Sequence, residues 1–324
     1  KNKLYEIEKQ ALKDLIIDIS RSYNKINVLS LGAGVSRTEI DAIESAIITD
    51  VTLDVNFYAL DVSLYLLYLG ISDFIRRCND PESNPKIKKI NFEGIIADIW
   101  DAADNKKNAV DKLIDRDKVT IFTFFGGTIG NYPEKEIMEK IISLMNANDF
   151  LLVGYDVWKA SNTSNHNKNK ISDEILKKYS NDRNIEWLTQ PLNQISQYQG
   201  LTGSLKFRND VLTVSTKDNE LNIITNVPNS IAYVPEVELK NNKIRLAHST
   251  KYYAKDFFNN PDDNEFNKYI KKIKCKDGDK IKTLLLKGTL STGDDTKYAD
   301  LGFCVSKFIC EEDKVKRRKR NYGG

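Results

Sequence analysis

Two acids and two glycine turns are the groups in this sequence that could handle a nucleotide. Asp61, in YALDVS, and Asp98, in IIADIW, each close an apolar run. A carboxylate at such a tip can accept hydrogen bonds from both hydroxyls of a ribose, or from an adenine amino group. Ile99 and Trp100, directly after Asp98, offer apolar contact to a ring. The first glycine pair, Gly32 and Gly34 in LGAGVS, lets backbone approach a ligand or adopt positive φ. The second turn, in FTFFGGTIGNYPEKE, sets Gly126, Gly127 and Gly130 ahead of Asn131, whose amide can orient an amine. Taken singly, either acid reads as a helix N-cap and either glycine pair as a tight turn. Their recurrence at successive tips points to a ligand crevice.

The elements that must position these groups follow a simple alternation. INVLSL (26–31), VNFYALD (55–61), INFEGIIAD (90–98), VTIFTFF (119–125) and DFLLVGYD (149–156) are short apolar runs of the kind buried in parallel sheets. Stretches with apolar residues at helical spacing separate them, such as VSLYLLYLGISDFI and EKEIMEKIISLM, and another precedes the first strand. A polar helical stretch near 106–114 follows the third strand. Strand–helix alternation predicts an α/β, doubly wound, mostly parallel sheet. Right-handed crossovers then gather every strand's carboxyl end on one edge, where ligands bind.

After Trp158 the texture changes. KASNTSNHNKNK is a polar loop, a helix is expected over 172–179, and SLKFRNDVLTVST and ELNIITNV alternate like antiparallel strands. IRLAHSTKYYAKDFF reads as a strand and a helix, and IKTLLLKGTL with ADLGFCVSKF as a closing hairpin. The expected organisation is a nucleotide-binding core over 1–159, an inserted α+β lid over 160–239, the rest of the core over 240–310, and a basic, disordered tail over 311–324.

Composition narrows the classes. The tail from Glu311 to Arg320 holds three acids and six bases, which accounts for the whole net charge of +3. A neutral body argues against a nucleic-acid surface and reads the basic run as a solvated tail. No apolar stretch is long enough for a membrane helix. No signal peptide is visible, and the start at Lys1 rather than methionine leaves room for residues upstream. Four cysteines without CxxC spacing and only two histidines argue against a zinc site and for a reduced, cytoplasmic setting. A nicotinamide fingerprint needs a third glycine where Arg37 stands, which argues against a dehydrogenase.

Glycine turn, ribose acid and adenine acid together resemble the class I S-adenosylmethionine (SAM)-dependent methyltransferases. At strand four, FFGGTIGNY resembles the F-L-G-S-T-I-G-N signature of the histidine-specific methyltransferase family, and LLVGYDVWK resembles its fifth strand, L-L-L-G-x-D-x-x-K. The likeness runs from about Val28 to Lys159 and returns more weakly up to Phe308. It implies a Rossmann-like, seven-stranded sheet and SAM as cofactor. It implies cofactor contacts at Gly32, Asp61, Asp98 and Ile99, to which the glycine turns add Gly34, Gly126 and Gly127 as expected cofactor-binding positions. It also implies substrate contacts at Asn131, at Tyr179 in KKYSND and at Ser249, with Asn131 and Tyr179 orienting the reacting amine.

The departures shape the substrate. Thr38 takes the place of a family lysine after the glycine turn. The family's T-E-V-S segment, whose glutamate and serine read an imidazole, matches LAHSTKY, with Ala247 for the glutamate and Ser249 retained. Loss of that acceptor predicts that free histidine is a poor substrate. Little of the family's helical region ahead of strand one is present. His248, Tyr252 and Tyr253 read as structural. The expected activity is SAM-dependent N-methylation of an amine on an amino acid, an amino-acid derivative or a peptide. Two alternatives stand beside it: a SAM-binding sensor or scaffold serving a protein partner, and a nucleic-acid amino-methyltransferase. The order of residues in GNYPE speaks against the second, because such enzymes carry N/D-P-P-Y/F at strand four.

Overall fold

The computed structural model describes residues 3–49, 53–82, 85–100, 110, 114–115, 117–158, 173, 183, 186, 188, 190, 212–219, 230–239, 242–245, 247, 249–253, 271–277, 280–292 and 301–311. Its centre is a parallel sheet made of β1 (Lys25–Leu31), β2 (Asp54–Asp61), β3 (Ile90–Ile96), β4 (Val119–Phe124) and β5 (Phe150–Trp158). β1 lies between β2 and β4, β3 flanks β2, and β5 flanks β4, all in parallel register. On the far side, β12 (Leu301–Glu311) runs antiparallel to β5, and β11 (Lys280–Thr292) antiparallel to β12. The order β11-β12-β5-β4-β1-β2-β3 is the expected doubly wound core, with the closing hairpin where the sequence reading puts it.

Burial follows from position in the sheet. Every residue of β4 is buried, as its continuous apolar run requires, whereas β3, at the end of the order, leaves Asn91, Glu93 and Ile96 exposed. Successive residues of β1 serve opposite faces. Ile26 and Val28 join α1 (Lys3–Ser20), α2 (Arg37–Thr49) and α3 (Leu64–Asn79) in one core cluster. Leu29 and Leu31 join α4 (Glu134–Leu144) in the other. Helices therefore cover both faces, and all the parallel strands end along one edge.

Two strands carry no clear signal in the sequence. β7 (Ser230–Leu239) contains Pro235, and β10 (Lys271–Asp277) is a lysine-rich strand at the end of the order, a common means of blunting an edge. β7 pairs antiparallel with β6 (Leu212–Asn219), β8 (Asn242–Arg245) and β9 (Ser249–Tyr253). β9 also pairs in parallel with the end of β5, Val157 to Tyr252 and Trp158 to Tyr253. β4 pairs with β5 only as far as Val153, so β9 takes up the column that β4 leaves. The stretches expected as helices over 106–114 and 172–179, the segment ELNIITNV and the basic tail lie wholly or mostly outside the described residues.

Candidate active site at the carboxyl edge of the sheet

The first two strand tips are tied together. Gly32 and Gly34 have φ of +67° and +52°, values that cost little only without a side chain. The Gly32 and Ala33 amides donate to the Leu60 carbonyl at 2.9 and 3.0 Å. Asp61, at the end of β2, is 9% exposed. Its Oδ2 accepts from the Gly34 amide and its Oδ1 from the Ser63 amide, both at 2.8 Å. Each oxygen keeps a second lone pair for another donor. A Cβ on Gly34 would meet no atom within 4 Å, so open space faces that turn.

Ser36 was overlooked by the sequence reading. It has φ of 56° in the left-handed region and is 1% exposed, and its hydroxyl finds no hydrogen-bond partner among the described residues. A dinucleotide fingerprint looks for its third glycine at Arg37, yet the chain takes its glycine-like conformation one residue earlier.

At the third tip, Asp98 Oδ1 accepts from the Trp100 amide at 2.7 Å, capping the helical turn that opens at Ile99. The Asp98 side chain is exposed, while Ile99 is 3% exposed and packs in the core cluster. A Cβ on Gly32 would lie 3.1 Å from Thr128 Cγ2 and 3.5 Å from Ile99 Cδ1, so the first, third and fourth tips converge there. Trp100 stacks on Tyr132 with centroids 5.9 Å apart and planes at 12°, and Lys140 Nζ lies 4.6 Å from the Trp100 ring. Burial, then the charges of Asp98 and Asp61, push the Tyr132 phenol above its ordinary pKa. Tyr132 therefore sits in the field of both acids, a placement the sequence did not suggest.

The fourth tip carries the glycines of FFGGTIGN. Gly126 and Gly127 both have φ of +71°, and Gly127 opens a 3₁₀ turn over Thr128–Asn131. Thr128 Oγ1 donates to the Phe125 carbonyl at 2.7 Å, and Asn131 is exposed at the end of the turn. Gly130 is there for β9: a Cβ would lie 2.7 Å from the Thr250 carbonyl oxygen. Ser249, half-buried, begins β9 beside this turn, and Ala247 precedes it. The structure thus brings Gly126, Gly127, Asn131 and the start of β9 together. Tyr179 and His248 lie outside the described residues. Tyr252 is fully buried and packs edge-on against Tyr155 with centroids 5.2 Å apart, in keeping with a structural role.

Beneath the edge lie polar groups that are buried or partly buried. Glu39 accepts from Ser30 Oγ at 2.7 Å and Thr123 Oγ1 at 3.2 Å, and burial raises its carboxyl above the usual range. Asp156, on β5, pairs with Lys251 of β9. Glu8, on α1, reaches the Gly126 amide.

The sequence over residues 3–182 matches the family model described as histidine-specific methyltransferase, SAM-dependent. The chain belongs to that family. No curated protein matches it at a significant level. Among solved structures it is similar to the DszA carbon methyltransferase, at 15% identity over 48% of this chain and 36% of that one, with a TM-score of 0.32. It is similar to a putative sarcosine dimethylglycine methyltransferase from Galdieria sulphuraria, at 9% identity over 52% and 53%, with a TM-score of 0.33. Coclaurine N-methyltransferase bound to N-methylheliamine and SAH is 14% identical over 47% and 37%, with a TM-score of 0.29. The aligned part thus spans about a third to a half of those chains. As a member of a SAM-dependent methyltransferase family, the protein has SAM as its cofactor, and the residues present fit it. The space over Gly34 would be filled by a Cβ, Asp61 offers fixed acceptors for hydroxyls, and Ile99 offers an apolar side chain between the tips. No described helix is long and apolar enough to cross a membrane.

Proposed function

We propose that the protein transfers a methyl group from SAM to an amine nitrogen of an amino acid, an amino-acid derivative or a peptide. The observation that carries this reading is the contact of Gly130 with Thr250, which makes one wall of the turn bearing Asn131 and the strand opened by Ser249. Gly32, Gly34, Asp61, Asp98, Ile99, Gly126 and Gly127 hold the cofactor. SAM supplies an electrophilic sulfonium methyl group. What the chain adds is alignment of a neutral nitrogen, which orientation alone can accelerate strongly. Asn131 accepts from or donates to the amino-acid end of the acceptor, Tyr179 assists it, and Ser249 contacts the rest of the substrate. A strong base is not required if the amine enters deprotonated. Ala247 supplies no acceptor for an imidazole N–H, so free L-histidine is a poor acceptor.

The test is a screen of amino acids and peptides with purified protein and SAM, following release of S-adenosylhomocysteine. A turned-over amine and a weak response to histidine support the proposal. Uptake of SAM with no S-adenosylhomocysteine from any acceptor favours a sensor or scaffold instead. In Asn131→Ala, methyl transfer should fall far more than SAM affinity, because the residue touches the acceptor. Unchanged turnover in that variant would show that the acceptor is held elsewhere.

A further inference from the structure

We infer that Glu8 is a positioning residue for methyl transfer: from α1 it holds the Gly126 amide, and so sets where the turn carrying Asn131 lies. The inference rests on the function proposed above. Glu8 Oε1 accepts from the Gly126 N–H at 2.7 Å across 118 residues of sequence. β4 ends at Phe124, so the Gly126 amide lies beyond the sheet ladder and takes its partner from this side chain. The turn's own bonds run from the Thr128 amide and hydroxyl to the Phe125 carbonyl, while Gly126 and Gly127, both at φ of +71°, lack side chains to stiffen the backbone. An outside acceptor restrains it.

The site is shaped for that carboxyl group. Glu8 is 2% exposed, and β5 presents Gly154 beneath it, where a Cβ would collide with Oε1. Burying a carboxyl group is costly, and an apolar side chain would fill a helix–sheet interface at lower cost. The charged groups facing Glu8 are Glu39 on α2 and Asp156 on β5, the latter paired with Lys251 of β9. Burial, followed by those two acids, pushes the carboxyl well above its ordinary pKa, against the opposing pull of the Gly126 hydrogen bond. A protonated carboxyl still accepts through its carbonyl oxygen, so the grip on Gly126 does not depend on charge.

Two variants and one spectroscopic readout test this. Glu8→Gln keeps an acceptor oxygen of the same reach, and Glu8→Leu keeps bulk without one. With a pool of amino acids and dipeptides as methyl acceptor, Glu8→Leu should lower kcat by about tenfold or more, since small misplacements at a reacting centre carry large rate penalties. Its SAM dissociation constant should rise by a smaller factor than kcat falls, because Gly126 is only one of the residues proposed to hold the cofactor. Glu8→Gln should restore most of the turnover. Independently of activity, the Gly126 amide should be protected from hydrogen exchange in wild type and Glu8→Gln and exchange faster in Glu8→Leu. An unprotected Gly126 amide in the wild type, or one that Glu8→Leu leaves unchanged, overturns the inference whatever the turnover. So does a Glu8→Gln protein that keeps the protection yet turns over as poorly as Glu8→Leu. If Glu8→Leu does not fold, the wild-type amide and the Glu8→Gln turnover still decide. If no pool member is methylated while the amide behaves as expected, it is the proposed acceptor class that fails, and the grip on Gly126 stands.

Discussion

The Asp61 carboxylate accepts the Gly34 amide at 2.8 Å, so the acid at the tip of β2 clasps the glycine turn of β1. One side chain therefore shapes the turn and keeps a second lone pair on each oxygen for a further donor. Asp61→Ala should weaken SAM binding by about 1.5–3 kcal/mol, the range for hydrogen bonds to a charged group. Asp61→Asn, which keeps one acceptor oxygen, should lose less. Calorimetric titration with SAM measures both, and equal affinity in all three proteins would remove Asp61 from the cofactor site.

Ser36 tests the backbone of the same turn. A left-handed residue with a side chain costs about 1–2 kcal/mol relative to an ordinary conformation. Ser36→Gly relieves that strain, partly offset by the greater freedom of glycine in the unfolded chain. Its thermal midpoint should equal or exceed that of wild type. Ser36→Val adds β-branching to the strained position and should lower the midpoint clearly. A destabilised glycine variant would mean that the buried hydroxyl contributes more than the strain costs.

Gly130 makes room for β9. In Gly130→Ala the added methyl must displace the Thr250 backbone, and overpacking of this kind costs about 1–3 kcal/mol. Because the turn bearing Asn131 moves with it, turnover should fall along with stability. Urea denaturation and S-adenosylhomocysteine release would measure the two effects. Full stability in the alanine variant would show that β9 yields to the methyl group without cost.

Glu39 gives the protein a pH signature. Burial raises its folded-state pKa, against the pull of Ser30, its own backbone amide and Thr123. The folded state then binds the proton more tightly than the unfolded one. The resulting stability is complete below the ordinary value of 4.5 and is lost as the pH rises through the folded-state pKa. Relative to Glu39→Gln, which does not titrate, the wild type should weaken as the pH climbs above about 4.5 and level off beyond the folded value. Urea denaturation of both proteins across that range provides the comparison. A difference independent of pH would place the titration elsewhere.

The sequence by itself determined the parallel core, the order of its elements and the residues at each strand tip. Those signals are local. A continuous apolar run such as that of β4 is legible because burial on both faces demands it, and Gly126-Gly127 is legible because few other residues tolerate that turn. Asp61 and Asp98 stood out because each closes such a run. Contacts made across the chain were not legible in this way. That Glu8 reaches Gly126, that Gly130 lies against Thr250, and that Trp100 stacks on Tyr132 all depend on sheet order and helix placement. β7 was missed because Pro235 breaks its pattern, and β10 because its lysines suit an edge and mimic a loop. Ser36 is the sharpest case. Its residue type favours no left-handed backbone; the folded turn fixes it, with its amide donating to the Ala33 carbonyl at 2.8 Å, its carbonyl accepting from the Ile40 amide at 3.0 Å, and the Gly70 backbone close against the Val35 carbonyl.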